Sequence, residues 1–209
     1  MDIATEVARK LLQIKAIKLS PQKPFTWASG ILSPIYCDNR LVLSHPDARD
    51  LVIKGFVEES KKYPNVDAIA GVATAGIPHG ALLADRLGLP FAYVRSKAKA
   101  HGRQNKIEGQ LAKGAKVLVV EDLISTGGSS LQAVDALVDY GVEVEAVVSI
   151  FTYELQKASD AFAKAKCTLS SLSSYSVLLD EAKKQGYIDT EELALLKQWR
   201  SAPAEWSPS

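Results

Sequence analysis

Apolar residues at Ile3, Val7, Leu11 and Ile14 recur at helical spacing directly after Asp2, which predicts an amphipathic helix capped by that aspartate. From about residue 66 the pattern changes. Short apolar runs at 68–72, 91–94, 117–120 and 144–151 alternate with helical stretches near 80–87, 128–140 and 159–166. Strands that are apolar throughout can be buried on both faces, and helices between them make parallel connections. The pattern therefore predicts an α/β fold with a central, mainly parallel sheet flanked by helices. A last strand near 168–171 and two C-terminal helices near 177–185 and 190–200 complete it.

Two segments depart from that alternation. In PQKPFTWASGILSPIYCDNR, residues 21–40, the prolines and glycine prevent a long helix. Residues 25–27 and 35–37 read there as two short strands around a turn at Ser29-Gly30, a small hood outside the parallel sheet. Ser44 followed by Pro46 then starts a helix reaching about Lys62. The second segment, 95–111, is polar and without period, with Arg95, Lys97, Lys99, Arg103 and Lys106 against one acid, Glu108. So long a polar connection inside a domain is either functional or a plain solvated loop.

Composition narrows the function classes. The 209 residues suit one α/β domain with the hood attached, and 25 basic against 24 acidic residues argue against a broad basic face for nucleic acid. Cys37 and Cys167 are the only cysteines, which suggests neither a disulfide framework nor a cysteine metal site. The charged first turns do not look like a signal peptide and no apolar run has the length of a bilayer span, so a reduced, cytoplasmic setting is expected.

The chemistry concentrates in VLVVEDLISTGGSS, residues 117–130. Ligands of parallel α/β sheets bind beyond the carboxyl ends of the strands, and the apolar run predicts a strand ending just before Glu121 and Asp122. The small residues that follow precede a helix near Gly128, where glycine lets backbone amides approach an anion and the helix dipole favours negative charge. Carboxylates beside a phosphate loop make sense when a ribose diol or a magnesium ion lies between them. A lysine-bearing phosphate loop, GxxxxGK[ST], is absent, as is a GxGxxG dinucleotide turn. A helix cap accounts for one of the hydroxyls but not for five small residues behind two acids.

These residues resemble the phosphoribosyl pyrophosphate (PRPP) motif of the type I phosphoribosyltransferases. RSKAKAHG with the later NKIEG, the hood FTWASGILSPIYCDNR and the loop GVATAGIPHG resemble the orotate phosphoribosyltransferase branch over nearly the whole chain. The resemblance implies a single type I phosphoribosyltransferase domain over 1–209, with residues 1–40 as an N-terminal hood and 96–110 as a mobile catalytic loop. It implies transfer of ribose 5-phosphate from PRPP to orotate, giving orotidine 5′-monophosphate (OMP) and pyrophosphate in pyrimidine synthesis. Implied catalytic residues are Lys99, His101 and Asp122. Implied PRPP contacts are Arg95, Lys99, His101, Glu121, Asp122, Leu123, Ile124, Ser125, Thr126, Gly127, Gly128 and Ser129; Ser125 and Tyr36 would reach orotate. Mg²⁺ would arrive with PRPP rather than in a protein cage, with Asp122 contacting it through water. A homodimer sharing the loop between subunits is implied, with no nucleic acid or membrane partner.

The chain also departs from the branch. Leu32 and Ala28 stand where lysines are common, Ser96 follows Arg95 where some relatives are basic, and Phe151-Thr152-Tyr153-Glu154 lacks an arginine that contacts orotate in some members. The orotate carboxylate then needs another partner, such as hood backbone amides. His79 suits either the pyrophosphate side or a packed role, and Trp27 either base stacking or packing. A purine or uracil phosphoribosyltransferase and a non-catalytic PRPP sensor are the alternative readings, although retention of Lys99 and His101 favours an enzyme.

Overall fold

The computed structural model describes residues 2–26, 30, 32–96 and 106–207. The chain opens with α1 (Ile3–Gln13), whose first turn is capped by Asp2 accepting from Thr5 N at 2.9 Å. The hood follows as β1 (Ile17–Leu19), β2 (Phe25–Thr26), β3 (Leu32–Ser33) and β4 (Ile35–Cys37), and a 3-10 helix (Asn39–Ser44) leads into α2 (Pro46–Ser60). The remainder is β5 (Ala68–Val72), α3 (Gly76–Leu87), β6 (Phe91–Val94), β7 (Ile107–Glu108), β8 (Lys116–Ile124), α4 (Gly128–Tyr140), β9 (Glu143–Thr152), α5 (Gln156–Lys164), β10 (Leu169–Ser174), α6 (Tyr175–Lys184) and α7 (Thr190–Ser201).

Six strands form the central sheet in the order β10-β9-β8-β5-β6-β7, parallel except for the edge strand β7. Alternation along β8 explains why its sequence is apolar throughout. Leu118 and Val120 enter one core with Phe56 of α2 and Leu83 of α3, while Val117 and Val119 enter the other with Leu137 of α4 and Phe162 of α5.

Four expectations change. Residues 35–37 do form a strand, but they pair with β1, whereas β2 pairs with β3. Pro34 separates the two small ladders: it has no N–H to donate, and its carbonyl accepts instead from Ser20 N at 2.8 Å. Second, β8 does not stop at Val120. Its ladder with β9 runs on through Glu121↔Ser149 to Ile124↔Thr152, because backbone pairing continues where apolar side chains end. Third, Ser44 ends the 3-10 helix rather than capping α2, which Pro46 begins without a side-chain cap. Helix α3 also begins at Gly76, ahead of the expected 80. Among the described residues no helix is long and apolar enough to cross a membrane.

Candidate active site

The carboxyl end of β8 opens into a cleft of about 300 Å³. Residues 73–75, between β5 and α3, form one wall, and Glu121, Asp122, Leu123 and residues 125–130 form the other. Two glycines make the approach of these walls possible. A Cβ on Gly76 would run into the carbonyl oxygen of Val120, so only glycine lets α3 start this close to β8. Gly127 takes φ of +80°, and a Cβ there would lie 2.8 Å from the Phe162 ring. Gly127 is also the N-cap of α4 and offers no side chain, so the first N–H groups of that helix have no side-chain cap at the cleft. Donors of this kind favour an anion.

The acids are positioned differently. Glu121 is 6% exposed, and its carboxylate accepts from Ser130 Oγ at 3.2 Å and from Asp122 N at 3.0 Å. Burial, and then the neighbouring Asp122 charge, push the Glu121 carboxyl up to about 8. Burial also raises Asp122 above the usual carboxylate range. Its carbonyl accepts from the amide of Asn39 at 2.7 Å, which ties the hood's 3-10 helix to the strand carrying the acids. Asn39 is fully buried and in turn accepts from Cys37 Sγ at 3.3 Å.

The structure thus brings together Glu121, Asp122, Leu123, Ser125, Thr126, Gly127, Gly128 and Ser129 around one cleft. Ile124, also expected at the site, is fully buried beneath it. Arg95 lies at the end of β6 and shares a smaller cleft of about 30 Å³ with Ala73 and Ser129, which also line the main one. Its guanidinium pairs with Glu108 at 3.3 Å, and its N–H donates to Lys106 O at 2.8 Å. Tyr36 is on the hood, 40% exposed, with its ring 5.7 Å from that of Phe25, and it does not line the main cleft. Lys99, His101, Trp27 and Ala28 lie outside the described residues. His79 is a fully buried α3 residue, not a cleft residue. Sequence reasoning missed Asn39 and Ser130. Serine at the third helical position behind a glycine N-cap was the available sign for the latter; a lone asparagine after a short strand gave none.

A phosphoribosyl transferase domain is matched over residues 42–176. The match continues beyond that core, through the hood and the C-terminal helices: an orotate phosphoribosyltransferase of Streptococcus mutans is 56% identical over 207 residues, 99% of each chain. The chain belongs to the orotate phosphoribosyltransferase family. A Lactococcus lactis orotate phosphoribosyltransferase is 55% identical, again over 99% of both chains. Among solved structures, the orotate phosphoribosyltransferase of Aeropyrum pernix superposes with a TM-score of 0.77 at 28% identity, covering 88% of this chain and 99% of that one. The uncapped start of α4 and the acids at the end of β8 both lie in the stretch VLVVEDLISTGGSS.

Proposed function

We propose that the chain transfers the ribose 5-phosphate of PRPP to orotate, forming orotidine 5′-monophosphate and pyrophosphate on the pathway to UMP. The observation carrying this reading is the extent of the likeness: relatives named for orotate match the hood as well as the PRPP-binding core, over 99% of both chains. In the reaction the orotate N1–C1 bond forms as N1 gives up its proton to solvent, the bond from C1 to the pyrophosphate oxygen breaks, and pyrophosphate leaves with the electron pair.

Each wall of the cleft then has a task. Backbone N–H groups and hydroxyls of residues 125–129 hold the 5′-phosphate at the start of α4. Glu121 and Asp122 accept from the ribose hydroxyls, and Asp122 stands near the positive charge that develops on the sugar. Arg95, with Lys99 and His101 of the loop at 96–110, neutralises the departing pyrophosphate and excludes water. Ser125 and the hood, residues 1–40 with Tyr36, face orotate. The whole forms one domain, acting as a cytoplasmic homodimer whose loop reaches the neighbouring subunit's site.

A magnesium ion fits this donor set as a guest of the substrate. Among the described residues no three His, Cys, Asp or Glu side chains converge as a metal cage, yet the buried Glu121 and the half-buried Asp122 line the cleft. Asp122 would hold the ion through water, and the ion would supply charge neutralisation at the pyrophosphate.

A spectrophotometric assay of orotate consumption with PRPP and Mg²⁺, run beside hypoxanthine, adenine and uracil, tests the reading. Orotate turnover well above that of the other bases is expected; no turnover, or a faster purine, would overturn it. Lys99→Ala should lower kcat far more than it raises the KM for PRPP, because its contact strengthens as the leaving group gains charge. Mixing Lys99→Ala with Asp122→Asn chains should restore activity if the loop acts across the dimer.

A further inference from the structure

The segments on either side of the matched domain, before residue 42 and after residue 176, pack against each other. Arg9 of α1 pairs with Glu181 of α6 at 2.6 Å. More telling is Trp199 of α7, a fully buried side chain whose indole N–H donates to the Leu32 carbonyl on the hood at 3.2 Å. The indole is fixed on its other sides. Its ring meets Tyr153, just past β9, edge-on at 5.8 Å and Tyr175 of α6 at 5.5 Å, and the Tyr175 hydroxyl donates to Leu196 O at 3.0 Å. One residue on, Arg200 reaches Glu154 at 3.0 Å, which holds α7 against the carboxyl end of β9.

We propose that Trp199 is a positioning residue for the acceptor base, holding the hood at a set distance from the ribose carboxylates. The proposal rests on the orotate reading above. Its physical basis is the weakness of the hood's own pairing. Among the described residues, strand β3 has two residues and pairs with the two of β2, and so short a ladder holds little by itself. Pro34 follows immediately and cannot extend that ladder. Besides the ladder of β4 with β1, side chains from outside hold the segment from β3 to the 3-10 helix at Leu32, at Asn39 and at Cys37, whose backbone bonds the Tyr153 hydroxyl. Asn39 ties its far end to Asp122 at 2.7 Å, and Trp199 ties its near end to α7. Removing the Trp199 anchor lets the hood sample positions in which the base is not held, and binding must then order it. The residues lining the main cleft, 73–75, 121–123 and 125–130, are separate from Leu32, Tyr153 and Tyr175, which meet the Trp199 ring, so PRPP binding keeps its framework.

The test is a kinetic split between the two substrates. Trp199→Phe retains an aromatic ring but has no N–H, and the KM for orotate should rise about three- to tenfold while that for PRPP stays within about twofold. The far-UV circular dichroism should match wild type. If Trp199→Phe fails to fold, benzothienylalanine at this position, which preserves the bicyclic ring and lacks only the donor, must give the same split. A folded variant with unchanged orotate KM, or with both KM values raised alike, would overturn the proposal. Wild-type protein in the same series separates the two readings: if it turns over orotate, failure of the split counts against Trp199 alone, and if it does not, the functional reading falls as well.

Discussion

His79 offers a quantitative test of how helix α3 is packed. The imidazole is completely buried, and among the described residues neither ring nitrogen has a hydrogen-bond partner. Burial lowers it from its ordinary value of 6.5 to about 4, since the charged form would lose its hydration without a compensating contact. Between those values the unfolded chain binds a proton at His79 and the folded chain does not. Stability is thus complete above the ordinary value and is lost as pH falls toward the folded one. Each pH unit in that window is worth about 1.4 kcal/mol, so lowering the pH to about 5 should remove about 2 kcal/mol.

The assay compares urea unfolding of wild type and His79→Leu at about pH 7.5 and about pH 5, at one protomer concentration because any association would shift the apparent stability. Wild type alone is not enough. Glu121 titrates with the opposite sign, holding a proton in the folded state that the unfolded chain releases, so it gains stability as pH falls. The difference between wild type and variant cancels that contribution. Wild type should lose about 2 kcal/mol more than His79→Leu over this interval. An equal loss in the two proteins would refute the buried neutral imidazole.

Gly76→Ala should abolish tight PRPP binding and lower stability by about 1–3 kcal/mol, because the new Cβ collides with the Val120 carbonyl; PRPP titration and urea unfolding would show both. Asn39→Ala leaves the half-buried Asp122 carbonyl without this donor and should cost about 1–3 kcal/mol in urea unfolding, with a raised orotate KM. Glu121→Gln removes a charge that burial opposes. It should raise Tm by about 3 °C or more at about pH 9, by less at about pH 6 and by little near the ordinary value of 4.5, and weaken PRPP binding, as read by thermal melts and titration calorimetry.

What the sequence revealed depended on how each element is stabilised. Strands β5 and β6 and helix α4 were readable to the residue because β5 is apolar and buried throughout, β6 is an apolar run that alternates buried with half-buried residues, and α4 has a glycine start. The hood was not, because its strands have two or three residues and their partners are fixed by Pro34, Asn39 and Trp199 rather than by alternation. Apolarity also misplaced the end of β8, since the ladder with β9 carries Glu121 and Asp122 inside the strand. At the site, the contiguous motif at 121–129 was legible, whereas the opposing wall at 73–75 is formed of small residues whose role comes from the close approach at Gly76.

The placement of the acids within β8 bears on how an anionic substrate enters a site lined by carboxylates. Solvated carboxylates at the strand end would repel PRPP before any hydroxyl could reach them. Here burial raises both groups, and Glu121 in particular resists ionisation around neutral pH, so the empty cleft carries less negative charge than its composition suggests. On the proposed reading of the site, the phosphate meets the uncapped N–H groups of α4, which favour it. Once the ribose hydroxyls donate to the carboxylates, the charged forms are stabilised, and negative charge develops beside the sugar where a positively charged transition state can use it. The same burial that destabilises the free protein at Glu121 thereby reserves the carboxylate charge for the bound state, which is why stability and PRPP affinity should move in opposite directions in Glu121→Gln.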